Sequence, residues 1–269
     1  MYRIILLLIF AIAFSSSIYA EPTNETLAFK SGERLTYKAF YNWGLLWVYA
    51  AEVELKITEK SFASKPSYLL EAKATSFNRY DWLFKVNDTF KTHVSMDAFQ
   101  PLWSERNTSE GHTKVFESYH FKYPENLVYS LINSKVKPFV KDTFGYVANS
   151  FDVLSAVYNC RNLNFDRCKI NDKIPVKLIL DGKINSVFIR YLGKELIENR
   201  KGQRFRCLKF TALLMAGTAF KGGEDVSVWV TDDDNRIPIL VEAKILIGSV
   251  KAFVEISEGL KYPMKAMVK

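Results

Sequence analysis

The chain has 269 residues, of which 48% are apolar and 14% aromatic, and it carries a net charge of +8. That apolar share excludes a disordered chain, and the aromatic share favours strands over helices. The lysines are scattered at strand spacing with no run of five or more, so the positive charge reads as a solubilising surface and not as a nucleic-acid or other polyanion site.

In chain order the first element is a leader. Arg3 supplies a positive start, and residues 4–14 are unbroken apolar. Ser15, Ser16 and Ser17 follow, and Ala20 sits where a signal peptidase needs a small side chain. These features predict a signal peptide over residues 1–20, cut between Ala20 and Glu21, and hence export. The competing reading is a membrane anchor, which needs roughly 20 apolar residues to cross the hydrocarbon core, and this run is much shorter. No cysteine lies near the cut to carry a lipid, and no later segment is apolar for long enough to span a bilayer. Residues 21–269 therefore read as a single soluble domain with no transmembrane span.

From Arg34 onward the period is two. RLTYKAFYNW (34–43), YAAEVELKIT (49–58) and YLLEAKATS (68–76) alternate apolar with polar residues, as do later stretches to the C-terminus. Asp181-Gly182 stands between two such runs as a hairpin signal. Asp232 to Asn235, followed by Arg236 and Pro238, marks another turn, and Gly248-Ser249 a third. Strands at this spacing predict an all-β fold of curved antiparallel sheets, a barrel or a sandwich. The missing helices between strands argue against Rossmann-like and TIM topologies. One segment departs from the pattern: Phe151, Leu154, Ser155 and Tyr158 lie at i, i+3, i+4 and i+7, with Ser150 or Asp152 as N-cap. This helix, near 150–161, is expected to join two packed halves. A shorter helical turn is expected over residues 79–84.

Signals for chemistry are sparse. No G-x-S-x-G elbow or protease-type cysteine context occurs. His93 and His120 fall on predicted strands where, with Asp88 or Glu117, they would begin a metal site. No H-E-x-x-H-like spacing supports that, so neither metal nor cofactor is expected. Asp232, Asp233 and Asp234 lack the alternating pattern and distal glutamate of a calcium loop and read as a turn that caps its own backbone. Gly217, Gly222 and Gly223 lack the Lys-Ser/Thr of a phosphate loop. Three cysteines exclude a fully paired framework. Cys160 and Cys168 bracket a short loop and form a candidate disulfide, whereas Cys207 reads as a buried core thiol. Trp43, Trp47, Trp82 and Trp103 crowd the first part of the chain. They either line an apolar groove for a lipid-like ligand or fill the core, and a period of two does not separate these readings.

Several stretches together resemble the domain-of-unknown-function 3108 family of exported bacterial proteins. They are F-x-S-G-E-R-L-T-Y (29–37), KVNDTFKTHVSMD (85–97), DVLSAVYNCR (152–161) and WVTDDDNRIPILVEAKILIGSVKAF (229–253). The resemblance implies a mainly antiparallel β fold in the envelope of a Gram-negative bacterium, with the mature chain in the periplasm, and it carries over no catalytic residues. Within the last block, Asp232 and Asp233 are placed to pair with Arg236, or with Arg161 from the helix. That arrangement is read first as a structural clasp and otherwise as a polar ligand cluster. The function expected is non-enzymatic binding of an apolar or amphiphilic ligand on the concave side, its partner being an envelope lipid, glycan or protein. The alternative is an assembly or scaffolding protein acting through surface contacts. A hydrolase built on Asp232 to Asp234 is the third reading.

Overall fold

The structure, a computed structural model, describes residues 26–43, 46–80, 85–214, 223–244 and 249–268. The leader with its cleavage site, Trp82, Gly217 and Gly222 lie outside the described residues. A first arm of the sheet is an antiparallel meander in chain order. It consists of β1 (Arg34–Trp43), β2 (Leu46–Phe62), β3 (Lys65–Ser76), β4 (Asn87–Ser95), β5 (Pro101–Glu110), β6 (Thr113–Lys122), β7 (Leu127–Ser134) and β8 (Val140–Gly145). After the short β9 (Ser150–Asp152) and the helix α1 (Val153–Arg161), the chain builds a second arm. Its strands are β10 (Lys173–Leu180), β11 (Lys183–Glu198), β12 (Arg204–Leu214), β13 (Gly223–Thr231), β14 (Pro238–Lys244) and β15 (Ser249–Glu258). The last strand, β16 (Met267–Val268), pairs with β12. Antiparallel pairing of β15 with β1 joins the two arms into one sheet. β8 and β9 end it at opposite edges, so the sheet curls without closing. The expected fold of curved antiparallel sheet with one main helix is the fold found.

Period-two patterning decides which face of each strand is buried. On β7, Val128, Ser130 and Ile132 turn to the core while Tyr129 is exposed, as alternation along a pleated strand requires. Leu35, Ile57, Leu70 and Val128 are fully buried, each contributing roughly 1.5–3 kcal/mol relative to exposure. The helix starts where Asp152, in an extended conformation, accepts hydrogen bonds from the Leu154 and Ser155 amides, two donors that have no partner within the helix. Leu154 and Tyr158 then repeat at helical spacing, and pack with Ala156 on Leu27, Phe29, Ile57 and Leu70. The shorter helical turn expected over 79–84 is a 3-10 turn at Asn78–Tyr80, with 81–84 outside the described residues.

The two arms also meet face to face. Tyr119, Phe121 and Val128 of the first arm pack on Ile179 of β10. Asp181 and Gly182 turn the chain from β10 to β11 with φ of 58° and 78°, positive at both turn positions as a two-residue hairpin wants. A Cβ on Gly182 would lie 2.9 Å from Ile132 Cδ1, so glycine lets this turn press against β7.

Candidate functional site

Two regions bring polar side chains together on the first arm, one on each face. On the core face, Glu117 is 1% exposed, Tyr119 Oη donates to its Oε2 at 3.0 Å, and the Gly182 amide donates to Tyr119 Oη at 2.9 Å. Arg106 Nη2 lies 3.0 Å from Glu117 Oε1 and 3.4 Å from Asp181 Oδ1. The first of these is an ion pair without hydrogen-bond alignment, since Glu117 Oε1 accepts no hydrogen bond within the protein. Beside it, Asp152 accepts from Thr92 Oγ1 at 2.7 Å and from Ser155 Oγ at 2.5 Å. Burial pushes the carboxyls of Glu117 and Asp152 above the usual range. The space these residues enclose with Ser104 and Ile179 is about 10 Å³, room for about one water molecule. Two buried acids side by side suit acid-base chemistry, but no substrate fits between them. Their geometry ties the β10–β11 turn to β5 and β6.

The other face of the same strands is open. Register places Asn107 opposite Phe116, and Phe116 opposite Asn133. Around this row lies a depression of about 430 Å³, lined also by Lys114, Val115, Ser134 and Lys135. That volume falls within the range of small-molecule sites, and the lining combines apolar surface with a few polar groups. Phe116 offers the apolar contact, the two amides offer donors and acceptors, and the two ammonium groups favour an anion. Roughly 13 Å along the strands, on the same outward face, runs an aromatic row. Trp103 stands opposite His93 on β4 and opposite His120 on β6, with ring centroids 6.1 and 6.4 Å apart. Phe62 stacks on Trp103, and Ser67 Oγ lies 2.9 Å from His93 Nδ1. Burial pulls both imidazoles below the usual histidine range.

The residues singled out in the sequence separate into distinct places. His93 and His120 do share a face, but Trp103 stands between them, and Asp88 and Glu117 are buried on the opposite face. Among the described residues no cluster of His, Cys, Asp and Glu is arranged to hold a metal ion. Of the four tryptophans, Trp82 lies outside the described residues, and Trp47 and Trp103 do not converge. Trp47 lies near the start of β2 beneath the Lys251 ammonium, next to the end of β1 where Trp43 stands. Trp103 contacts Phe62 at the far end of β2, after roughly 50 Å of strand.

Arg161 joins the helix to the β13–β14 turn through Glu33 and Asn235, and not through Asp232 or Asp233. It takes both oxygens of Glu33, at 2.5 and 2.9 Å, and donates two hydrogen bonds to the Asn235 carbonyl. Asp233 instead holds the turn itself. Its Oδ1 accepts from Thr231 Oγ1 and the Asn235 amide, and its Oδ2 accepts from the Ala266 amide. Asp232 pairs with Lys194 at the surface, and Arg236 lies over the Phe165 ring. Cys160, Cys168 and Cys207 are separate thiols, with Cys207 buried. The residues of the depression carried no signal beyond alternation, because only register makes them neighbours.

A curled antiparallel sheet of this kind, open at both edges and filled by one helix, defines a barrel-like β protein. In a solved structure described as a beta-barrel-like protein of domain of unknown function DUF1849 from Brucella abortus the same fold recurs. The likeness covers 84% of this chain and 96% of that one, with a TM-score of 0.52 and 7% sequence identity. The family model described as protein of unknown function (DUF3108) matches residues 36–255, and the chain belongs to that family. No curated protein matches it.

Proposed function

We propose that the protein is exported to the periplasm and there binds an amphiphilic envelope component without chemically altering it. The observation that carries this reading is the depression over β5, β6 and β7. Its apolar floor at Phe116 is bordered by Asn107, Asn133, Lys114 and Lys135, which suits a ligand with an apolar part and an acidic head. The leader, with its short apolar run ahead of Ala20, supports export. The Asp232 to Asp234 acids are engaged in the turn and at the surface, which fits structural work better than hydrolysis.

Native mass spectrometry of the protein recovered from the periplasm of its own cell tests both parts. The expected result is a chain beginning at Glu21 that retains an acidic amphiphile, which is lost on Phe116→Ala. Protein that carries no small ligand, and takes up no short-chain acidic lipid when offered, would count against it. The second reading, scaffolding through surface contacts, is favoured by β8, an edge strand exposed along almost its whole length. Such an edge accepts a partner strand. Copurification of a stable protein partner, lost on Thr143→Pro, would support it.

A further inference from the structure

The turn between β7 and β8 is the most exposed apolar feature of the described residues. Val136 is 88% exposed and Phe139 74% exposed, and Val140 follows at 39%. Lys135, Lys137 and Lys141 alternate with them in the sequence KVKPFVK, and all three are at the surface. Lys114 of the neighbouring hairpin stands close by, since Val115 pairs with Ser134. Asp142 is the acid on this stretch, and its Oδ1 accepts the Thr143 amide.

The turn is also held in shape. The Ser134 amide donates to the Lys137 carbonyl at 2.9 Å, and the Lys137 amide donates to Ser134 Oγ at 3.0 Å. Lys137 Nζ reaches back to the Asp181 carbonyl at 3.1 Å, and the Phe139 amide donates to Asn133 Oδ1. Phe139 has φ of 50°, a left-handed conformation that is an outlier for so bulky a residue. Strain of this kind persists only where surrounding contacts enforce it, and it concentrates at functional positions. Here those contacts keep a phenyl ring pointing into solvent.

We propose that this turn docks the protein on an anionic lipid bilayer, with Val136 and Phe139 entering the headgroup layer and the lysines meeting lipid phosphates. Apolar side chains at a protruding tip suit a deformable lipid surface, and a ring of ammonium groups suits negative charge. Because the turn is already ordered, little conformational entropy is lost on docking. The inference goes beyond the ligand-binding reading, although geometry links them. Asn133 and Lys135 belong both to the turn's frame and to the border of the depression, so docking would bring the depression to the headgroups.

Flotation of the full mature chain with phosphatidylcholine vesicles, with and without phosphatidylglycerol, tests it. The expected result is binding only when phosphatidylglycerol is present, weakened at high salt because the charges are screened. The exposed double change Val136→Ser with Phe139→Ser should lower affinity at least about tenfold, and Lys135→Gln with Lys141→Gln about tenfold or more, while thermal melts stay unchanged. Phe139→Trp should show a blue-shifted emission on vesicles. Absence of vesicle binding by the unaltered chain, or full binding by the Val136→Ser, Phe139→Ser variant, overturns the proposal. Phe116→Ala separates the two readings: it should release a retained amphiphile and leave vesicle binding intact.

Discussion

The Arg161 guanidinium grips both carboxylate oxygens of Glu33, and both residues are buried, at 4% and 1% exposure. Two further hydrogen bonds run from Arg161 to the Asn235 carbonyl, so one side chain ties the helix, the segment leading into β1 and the β13–β14 turn together. Removing one partner would leave a buried charge with no counter-charge, which costs about 3–5 kcal/mol. Arg161→Met is therefore expected to lower the melting temperature by roughly 6–20 °C. Combined with Glu33→Gln it should lose less than the sum of the two single changes, a coupling that thermal melts of all four proteins measure.

The neighbouring acids divide by burial of their partners. Asp233→Ala removes three hydrogen bonds that close the turn and is expected to cost about 2–4 kcal/mol. Asp232→Ala breaks an ion pair whose Lys194 side chain is 68% exposed, so its cost should stay below about 1 kcal/mol. Chemical denaturation of the two variants would show the contrast, and equal losses would refute the division.

Asp88 predicts a pH effect. Burial pushes its carboxyl up to about 6, against the hydrogen bond from the Ser109 amide that favours the charged form. With the folded value above the unfolded one, the native state binds the proton more tightly. Stability from this group is present at low pH and is lost as pH rises from about 4 through about 6. Asp88→Asn keeps an oxygen for the Ser109 amide and abolishes the titration. Relative to the unaltered chain it should gain about 1–2 kcal/mol at pH 7.5 over its effect at pH 4, solvent screening trimming the full value. Melts at the two pH values decide it, and a difference that does not change with pH would exclude this role.

Cys207 is buried, whereas Cys160 and Cys168 are both half-buried. Burial pushes the Cys160 and Cys207 thiols up to about 12, which starves both of reactive thiolate. Beside Phe165 and Ile174, burial raises the Cys168 thiol as well, but this thiol is less completely enclosed than those of Cys160 and Cys207. A thiol reagent is expected to modify Cys168 first in the folded protein and all three on unfolding. If the unfolded chain from an oxidising compartment yields a single thiol and that thiol is Cys207, Cys160 and Cys168 are bridged there.

Much of the fold was legible because its signals are local. Alternation at Val128, Ser130 and Ile132, the Asp181-Gly182 turn and the helical spacing from Leu154 to Tyr158 each depend on a few neighbouring residues. Arg161 was legible as half of a clasp. Its partner was not, because Glu33 lies 128 positions away and no local pattern links them. The tryptophans show the same limit: Trp47 and Trp103 stand on different strands, β2 and β5, and Trp103 meets Phe62 at the end of β2 remote from Trp47.

By itself the sequence determined the strand-rich class, the single main helix and the family to which the chain belongs, and it left the helix cap open between Ser150 and Asp152. Tertiary structure alone decided that Asn107, Phe116 and Asn133 form a row, that His93 and His120 are parted by Trp103, and that Arg161 meets Glu33. The physical reason is that the pleat writes a period of two into each strand separately. Which strands pair, in what register and facing which arm is settled by burying all their apolar faces at once.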